Sequence, residues 1–415
     1  MLWMTLSMLS LVYLKEMIEI DKIRKVYLLG VGGIGMSALA RYFLFLGKKV
    51  EGYDKTPSSL TGDLESEGIL IHFVADLSKV PLLTEISSTL VIFTPAIEDS
   101  FSELQYLRAN NFQVLKRSQV LGIITSGKRC IAVAGTHGKT SVTTMTAHLL
   151  KQSAIDCSAF IGGISKNYGT NLLLPDNKSN FIVVEADEYD RSFLQLHPEI
   201  AVITWMDPDH LDIYGNHQNV IDAFNEFVSQ IIPGGSLLYR NGLNIDKSRN
   251  SGIHYFTYSV DGKADFTAIN IRVQNGSYHF DLKSPFEDIN GLTLSYPGMM
   301  NVENSVAACG MALISGMKAD EIRRALPFYR GVVRRFDVRY SGSKTVFIDD
   351  YAHHPRELET TIKSVRSLYP GKKITGIFQP HLYTRTRDFA DGFAASLDLL
   401  DEALLLEIYP AREQP

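Results

Sequence analysis

IAVAGTHGKTS, Ile131 to Ser141, runs from an apolar, strand-like segment through a glycine turn into VTTMTAHLL, whose apolar spacing is helical. A strand, a turn carrying Gly-Lys-Thr and a helix form the setting in which backbone N–H groups wrap phosphate oxygens. There Lys139 can neutralise β- and γ-phosphate charge, and the Thr140 hydroxyl can ligate Mg²⁺. The common spacing, Gly, four residues, then Gly-Lys-Ser/Thr, would put the first glycine at position 133, where the chain has Val133. Val133 is then the last strand residue, and the loop is shortened at its start. This reading makes Gly135, Thr136, His137, Gly138, Lys139, Thr140 and Ser141 an ATP loop.

Outward from the loop, the chain divides into three units. KVYLLGVGGIGMSALARYFLFLGKKVEGYDK, from Lys25, reads as strand, glycine turn, helix, strand. Gly30, Gly32 and Gly35 match G-x-G-x-x-G, and Asp54 follows the second strand at the dinucleotide-fingerprint distance. Taken alone this suggests a nicotinamide or flavin enzyme. Glycines serving only strand–helix packing are the alternative, and which phosphate would bind is open. LVIFTPAI and FQVLKR continue the rhythm, so residues 25–122 read as a small parallel domain.

The second unit, 123–333, contains the ATP loop and two buried strands with acidic exits, NFIVVEADEYD and IAVITWMDPDHLDIYG. Alternating runs between about 245 and 297 suggest an antiparallel appendage, and MNVENSVAACGMALISGM a helix. The third unit, 334–415, carries KTVFIDDYAHHP and KKITGIFQPHLYTRTRDF. The expected fold class is α/β: a Rossmann-like N-terminal domain, a central P-loop ATPase-type domain and a Rossmann-like C-terminal domain.

Composition narrows the function. The 415 residues are 45% hydrophobic and 21% charged with a net charge of −5, which suits a multidomain globular chain and argues against sequence-independent binding of nucleic acid. Three scattered cysteines offer neither a disulfide framework nor a zinc site. Residues 1–24 read as a leader or extension whose apolar run is shorter than the roughly 20 residues of a membrane span. It also lacks the features of a signal peptide. No membrane partner and a cytoplasmic location are expected, with a monomer or homodimer as the state.

The short form G-T-x-G-K-T/S resembles that of the ATP-dependent Mur ligases and folylpolyglutamate synthases. VEADEYDRSFLQLHPEIAVITWMDPDHLDIYG, NVENSVAA, GVVRRFD, IDDYAHHP and FQPHLYTRTRD resemble the L-alanine-adding branch of the Mur ligases, in order and in spacing. GVGGIGMSALA is similar to the UDP-sugar loop of that branch. The resemblance implies ATP and Mg²⁺ as cofactors and UDP-N-acetylmuramate and L-alanine as substrates. The reaction it implies is phosphorylation of the lactyl carboxylate, followed by attack of the amine on the acyl phosphate.

The resemblance also implies roles. Gly32, Gly33, Gly35, Met36 and Ser37 would contact the sugar nucleotide. Thr140, Glu185 and His210 would hold metal, while Asp187, Glu188, Asp207 and Asp209 divide evenly between function and capping. Asn304 would read adenine, with Asn301 a capping residue as the alternative. Arg335 would reach ATP phosphates, or else form a rim salt bridge. Asp350, Tyr351, His353, His381 and Arg385 would form the amino-acid site, where a guanidinium grips a carboxylate and His or Asp handles the amine proton.

This chain departs from the pattern at Met300, where relatives have His, and at Leu382, where many have Arg; Arg387 is the candidate replacement. No lysine lies between Leu211 and Asp246, in keeping with the branch that lacks a carbamylated lysine. Relatives continue past Pro415, so the third domain reads as truncated. Two rival functions are a murein-tripeptide ligase acting on the same sugar nucleotide and an inactive nucleotide-sugar-binding fragment.

Overall fold

Lys25–Leu29 (β1) is buried along its whole length, as expected of a strand covered on both faces. It is the centre of a five-stranded parallel sheet with β2 (Lys49–Tyr53), β3 (Leu70–His72), β4 (Thr89–Phe93) and β5 (Gln113–Lys116), in the order β3-β2-β1-β4-β5. The computed structural model describes residues 18–274, 276–410 and 413, without the side chains of 211 and 212. Most of the leader lies outside the described residues. Ile18 and Ile23, which the sequence reading placed in it, are buried in the first domain's core.

The second sheet has ten strands. Its parallel part contains β6 (Arg129–Ala134), β7 (Ser158–Phe160), β9 (Phe181–Glu185), β10 (Ile200–Ile203), β11 (Ser236–Arg240), β12 (His254–Ser259) and β13 (Phe266–Gln274). Antiparallel edges are added by β8 (Leu172–Leu173) on one side and by β14 (Ser277–Lys283) and β15 (Ile289–Leu294) on the other. The expected appendage is therefore only partly antiparallel: β12 and β13 extend the main sheet in parallel. One solvated face gives β13 the alternating pattern that misled the sequence reading.

β6 lies between β10 and β9, so the ATP loop leaves the carboxyl end of an interior strand. The buried Lys139–Lys151 helix follows the loop and packs beside the Met299–Ile314 helix. One apolar cluster joins the first sheet to one face of the second; another fills the opposite face.

The third unit has two two-stranded pieces. β16 (Asp337–Ser341) pairs antiparallel with β17 (Val346–Asp349), and β18 (Thr375–Phe378) pairs in parallel with β19 (Glu402–Leu405). The Pro355–Leu368 helix starts after His354, whose side chain caps it with Pro355 in the first turn. That start faces the ATP loop. At the junction, Arg334 and Phe336 have φ of 62° and 44°, a strained turn that aims Arg335 back at the central domain.

Candidate active site

The two loop glycines are there for room. Gly135 (φ 131°) would drive a Cβ into the Thr204 hydroxyl and to 2.8 Å from the Trp205 nitrogen. Gly138 (φ 81°) begins the Lys139–Lys151 helix, and a Cβ there would lie 2.7 Å from Asn304 Oδ1. Both the left-handed backbone and the crowding reject side chains. The result is a tight cradle ending in free helical N–H groups, suited to phosphate.

Lys139 Nζ donates to Gly135 O and to Glu188 Oε1, each at 2.8 Å. Burial opposes its charge, but the carboxylates of Glu188, Asp187 and Glu185 hold the ammonium above the usual lysine range. Carboxylates flank the lysine on two sides. Glu185 accepts from Thr140 Oγ1 and from the Gly162 N–H, both at 3.1 Å, and burial pushes its carboxyl up.

Glu188, Asp209 and His210 place one donor atom each within 4.8 Å of one another. Burial raises Glu188 to about 7, and its Oε2 has no hydrogen-bond partner among the described residues. His210 sits at φ 52°, and its backbone N–H donates to Asp209 Oδ1 at 2.8 Å. Burial lowers the His210 imidazole, keeping it neutral enough to ligate. Hard carboxylate oxygens, a buried oxygen without a partner and the phosphate cradle beside them fit a divalent cation with a nucleotide phosphate. The sequence reading put Glu185 with His210; the structure adds Glu188 and Asp209, and gives Asp187 to Arg117 at 3.4 Å.

One cavity between the central and third domains is lined by Thr136–Ser141, Glu185, His210, Asn304, Arg335, Asp350 and His353. Asn304 Nδ2 donates to Asn301 Oδ1 at 3.3 Å, while Asn301 Nδ2 donates to Pro297 O at 2.6 Å, so Asn301 steadies the helix start and orients Asn304. Met300 also lines the wall. Arg335 has its guanidinium 5.2 Å from the centroid of the half-exposed Tyr351 ring. Asp350, partly buried, accepts from Thr361 Oγ1, and desolvation raises its carboxyl. His353 Nδ1 lies 2.9 Å from Tyr351 O, and burial lowers that imidazole.

Arg385 donates to Asp209 at 3.0 Å with both side chains buried, and its other terminal nitrogen lies 3.4 Å from His381 Nδ1. The third domain thereby reaches the cation cluster directly. Asp209 is held well below the carboxylate range: burial opposes its charge, but His210 and Arg385 more than offset this. Leu382 is buried at φ 71°. Arg387 does not replace the expected Arg: its side chain is 74% exposed and paired with Asp388.

In the first domain, Gly32 N–H donates to Asp54 Oδ2 at 2.7 Å, so Asp54 fixes the turn. Gly33 caps the Ile34–Phe45 helix. Gly35 is where Arg117 packs, 2.9 Å from the place a Cβ would take. Met36 and Ser37 turn their side chains inward. Met36 is buried in the core, and the Ser37 hydroxyl donates to Ile34 O and accepts from Asn171 Nδ2, leaving neither side chain to a ligand. Glu185 also borders a smaller crevice with Arg117 and Asp187, linking this domain to the ATP loop.

His137 is more than a loop member. It spans the domains, with Nε2 3.2 Å from Asp207 and Nδ1 3.1 Å from Glu357. Burial disfavours the imidazolium, but the flanking carboxylates of Asp207 and Glu357 prevail and raise it to about 9. The stability it contributes is present in full below the unfolded value of about 6.5 and is lost as pH rises through about 9. Removing it in His137→Asn should cancel up to about 3 kcal/mol of the stability that the parent loses between those values. Denaturant unfolding of both proteins at pH 6 and pH 10 measures this. Equal pH dependence in the two would refute it. Glu357 escaped the sequence reading; its only local signal is its place two residues after Pro355.

Family models match three consecutive segments: "Mur ligase family, catalytic domain" over 25–129, "Mur ligase middle domain" over 133–312 and "Mur ligase, glutamate ligase domain" over 334–415. The UDP-N-acetylmuramate–L-alanine ligase of Phocaeicola vulgatus is 52% identical, covering 96% of this chain and 86% of the relative. This chain belongs to the Mur ligase family. The enzyme of the same name from Flavobacterium johnsoniae is 47% identical over the same shares.

A crystal structure of UDP-N-acetylmuramate–alanine ligase from Thermotoga maritima superposes with a TM-score of 0.79 at 27% identity, covering 94% of this chain and 86% of that one. A murein peptide ligase from Psychrobacter arcticus shares the fold at TM-score 0.71 and 22% identity, covering 92% of this chain and 84% of that one. As a Mur ligase, this protein is an ATP-dependent ligase. The dehydrogenase reading of the first glycine turn is thereby set aside. No helix among the described residues is long and apolar enough to cross a membrane.

Proposed function

We propose that this Mur ligase joins L-alanine to the lactyl carboxylate of UDP-N-acetylmuramate in peptidoglycan precursor synthesis, in the cytoplasm. The observation that carries the reading is near-full-length identity of about half to ligases of that name, with Lys139, the acidic cluster and Arg385 converging between two domains. Gly32, Gly33 and Gly35 present the helix start to the diphosphate of the sugar nucleotide. Thr140, Glu185 and His210, with Glu188 and Asp209 beside them, are the residues that would hold Mg²⁺, which would supply neutralisation of phosphate charge.

The carboxylate is a poor electrophile until its oxygen bonds the γ-phosphorus of ATP and ADP departs. Gly135–Ser141 hold the nucleotide phosphates, Asn304 its base, and Arg335 closes from the third-domain side. Arg385 and His381 hold the L-alanine carboxylate at the rim marked by Tyr351. The amine then bonds the acyl carbon, loses its proton towards His353 or Asp350, and phosphate leaves. Catalysis is mainly positioning and charge neutralisation in a closed site.

Calorimetry should show that UDP-N-acetylmuramate binds and NAD does not. The reverse would restore a dehydrogenase reading. Phosphate release from ATP with UDP-N-acetylmuramate should be fastest with L-alanine among L-alanine, L-serine, glycine and tripeptide; preference for the tripeptide would overturn the assignment.

A further inference from the structure

Trp205, in the loop leaving β10, has a guanidinium on each face of its ring. Arg240 Cζ lies 3.6 Å and Arg356 Cζ 3.7 Å from the ring centroid. Groups so near the ring axis cannot share one face, so the indole is sandwiched. Arg240, at the end of β11, is held by Glu303 at 2.7 Å. Arg356 belongs to the third domain, second residue of the Pro355–Leu368 helix, and donates to both oxygens of Asp207 at 3.0 and 3.3 Å.

The same loop is tied to the ATP loop. Thr136 N–H donates to Trp205 O at 3.0 Å, and Asp207 N–H donates to Thr136 Oγ1 at 3.1 Å. The third-domain helix is thus connected through Arg356, Trp205 and Asp207 to the residues that start the phosphate cradle. A flat guanidinium stacks on an indole as an ammonium does not, and the sandwich also fixes an orientation.

We propose that Trp205 and Arg356 are positioning residues of the ligase reaction: their stack holds the third domain, with Arg385, closed over the ATP loop. The proposal rests on the ligase reading above. Neither side chain is offered to a ligand; each acts through the domain it holds. Arg356 is 47% exposed on its side chain, so its loss opens no core and should leave folding intact. What it should change is the alignment of two reacting groups carried by different domains, to which rates are sensitive.

Trp205 is also its own reporter. The chain has two tryptophans, Trp3 and Trp205, so a Trp3→Phe parent leaves one fluorophore. In that parent, Arg356→Ala should raise acrylamide quenching of Trp205, lower kcat about tenfold and raise the KM for L-alanine. The thermal midpoint and the calorimetric affinity for UDP-N-acetylmuramate, bound on the first domain, should stay at parent values. Arg356→Lys, which keeps the charge near Asp207 but not the planar stack, should recover only part of kcat.

Unchanged quenching, or raised quenching with parental kcat and KM, would overturn the proposal. Full recovery by Arg356→Lys would overturn the stacking role, leaving only the charge. Absence of any ATP turnover in the parent would instead overturn the ligase reading, and the catalytic part of this inference with it, while the quenching comparison would still decide whether the stack closes the domains.

Discussion

Lys139→Ala is expected to abolish ATP-dependent phosphate release, by a factor of a thousand or more, while the protein stays folded. The ammonium is held in the cavity by Gly135 O and Glu188 and kept charged by three nearby carboxylates. It directly follows Gly138 in the cradle that Gly135 and Gly138 open, where removal of a preorganised charge costs orders of magnitude in phosphoryl transfer. Folding should tolerate the change. Glu188, which burial already raises to about 7, can take a proton when its partner is lost.

Two measurements separate chemistry from collapse. Phosphate release should vanish, and ATP should no longer raise the thermal midpoint as it does in the parent, because ligand-linked stabilisation needs affinity. Residual turnover within tenfold of the parent, in a folded variant, would remove Lys139 from the phosphate site. A variant that unfolds on its own would instead show that the Glu188 pair is structural.

Legibility in the sequence followed the range of the interactions. The β1 turn and the ATP loop were readable because strand, glycines and helix are contiguous, and their geometry is set by backbone conformation and local crowding. The acidic segments were half readable. A loop carboxylate in an acidic cluster and one that caps a helix look alike in sequence, so Glu188 and Asp209 could be told from Asp187 only by where they point. The β12 and β13 pairings were misread because an alternating strand belongs as well to a half-solvated parallel edge as to a hairpin. At Met36 and Ser37 the motif names only a stretch, whereas the helix turns both side chains inward.

What closes the site was not readable at all. Arg385 meets Asp209 across 176 positions, Arg356 meets Asp207 across 149, and His137 meets Glu357 across 220. No local pattern encodes such pairs. All three join the third domain to the central one within a few residues of the ATP loop or the cation cluster. Domain closure and catalytic geometry are therefore the same set of contacts.

Arg385→Ala follows from that overlap and should affect both stability and amino-acid binding. Asp209 is 5% and Arg385 7% exposed on the side chain, so removing the arginine strands a buried carboxylate, a change that typically costs about 3–5 kcal/mol. The His210 imidazole beside Asp209 can offset part of this by taking a proton, so the lower end is expected. Binding should suffer separately. A charge-assisted hydrogen bond is worth about 1.5–3 kcal/mol, which is about one to two decades in the KM for L-alanine. Because Leu382 supplies no second cation, nothing nearby should mask that loss.

Asp209→Asn separates the two roles. It breaks the ion pair between domains but leaves the guanidinium available to a substrate carboxylate. If Arg385 grips L-alanine, Asp209→Asn should leave the KM for L-alanine near the parent value or lower it, since a competing carboxylate is gone, while stability still falls. If Arg385 serves only to close the domains, both variants should raise the KM for L-alanine; a rise in the KM for ATP alone in Asp209→Asn would report the loss of Asp209 from the acidic cluster. Equal amino-acid KM in the parent and in Arg385→Ala would place the carboxylate site elsewhere. His381 would then be the next residue to test, because its Nδ1 lies 3.4 Å from the terminal nitrogen of Arg385 that does not bond Asp209.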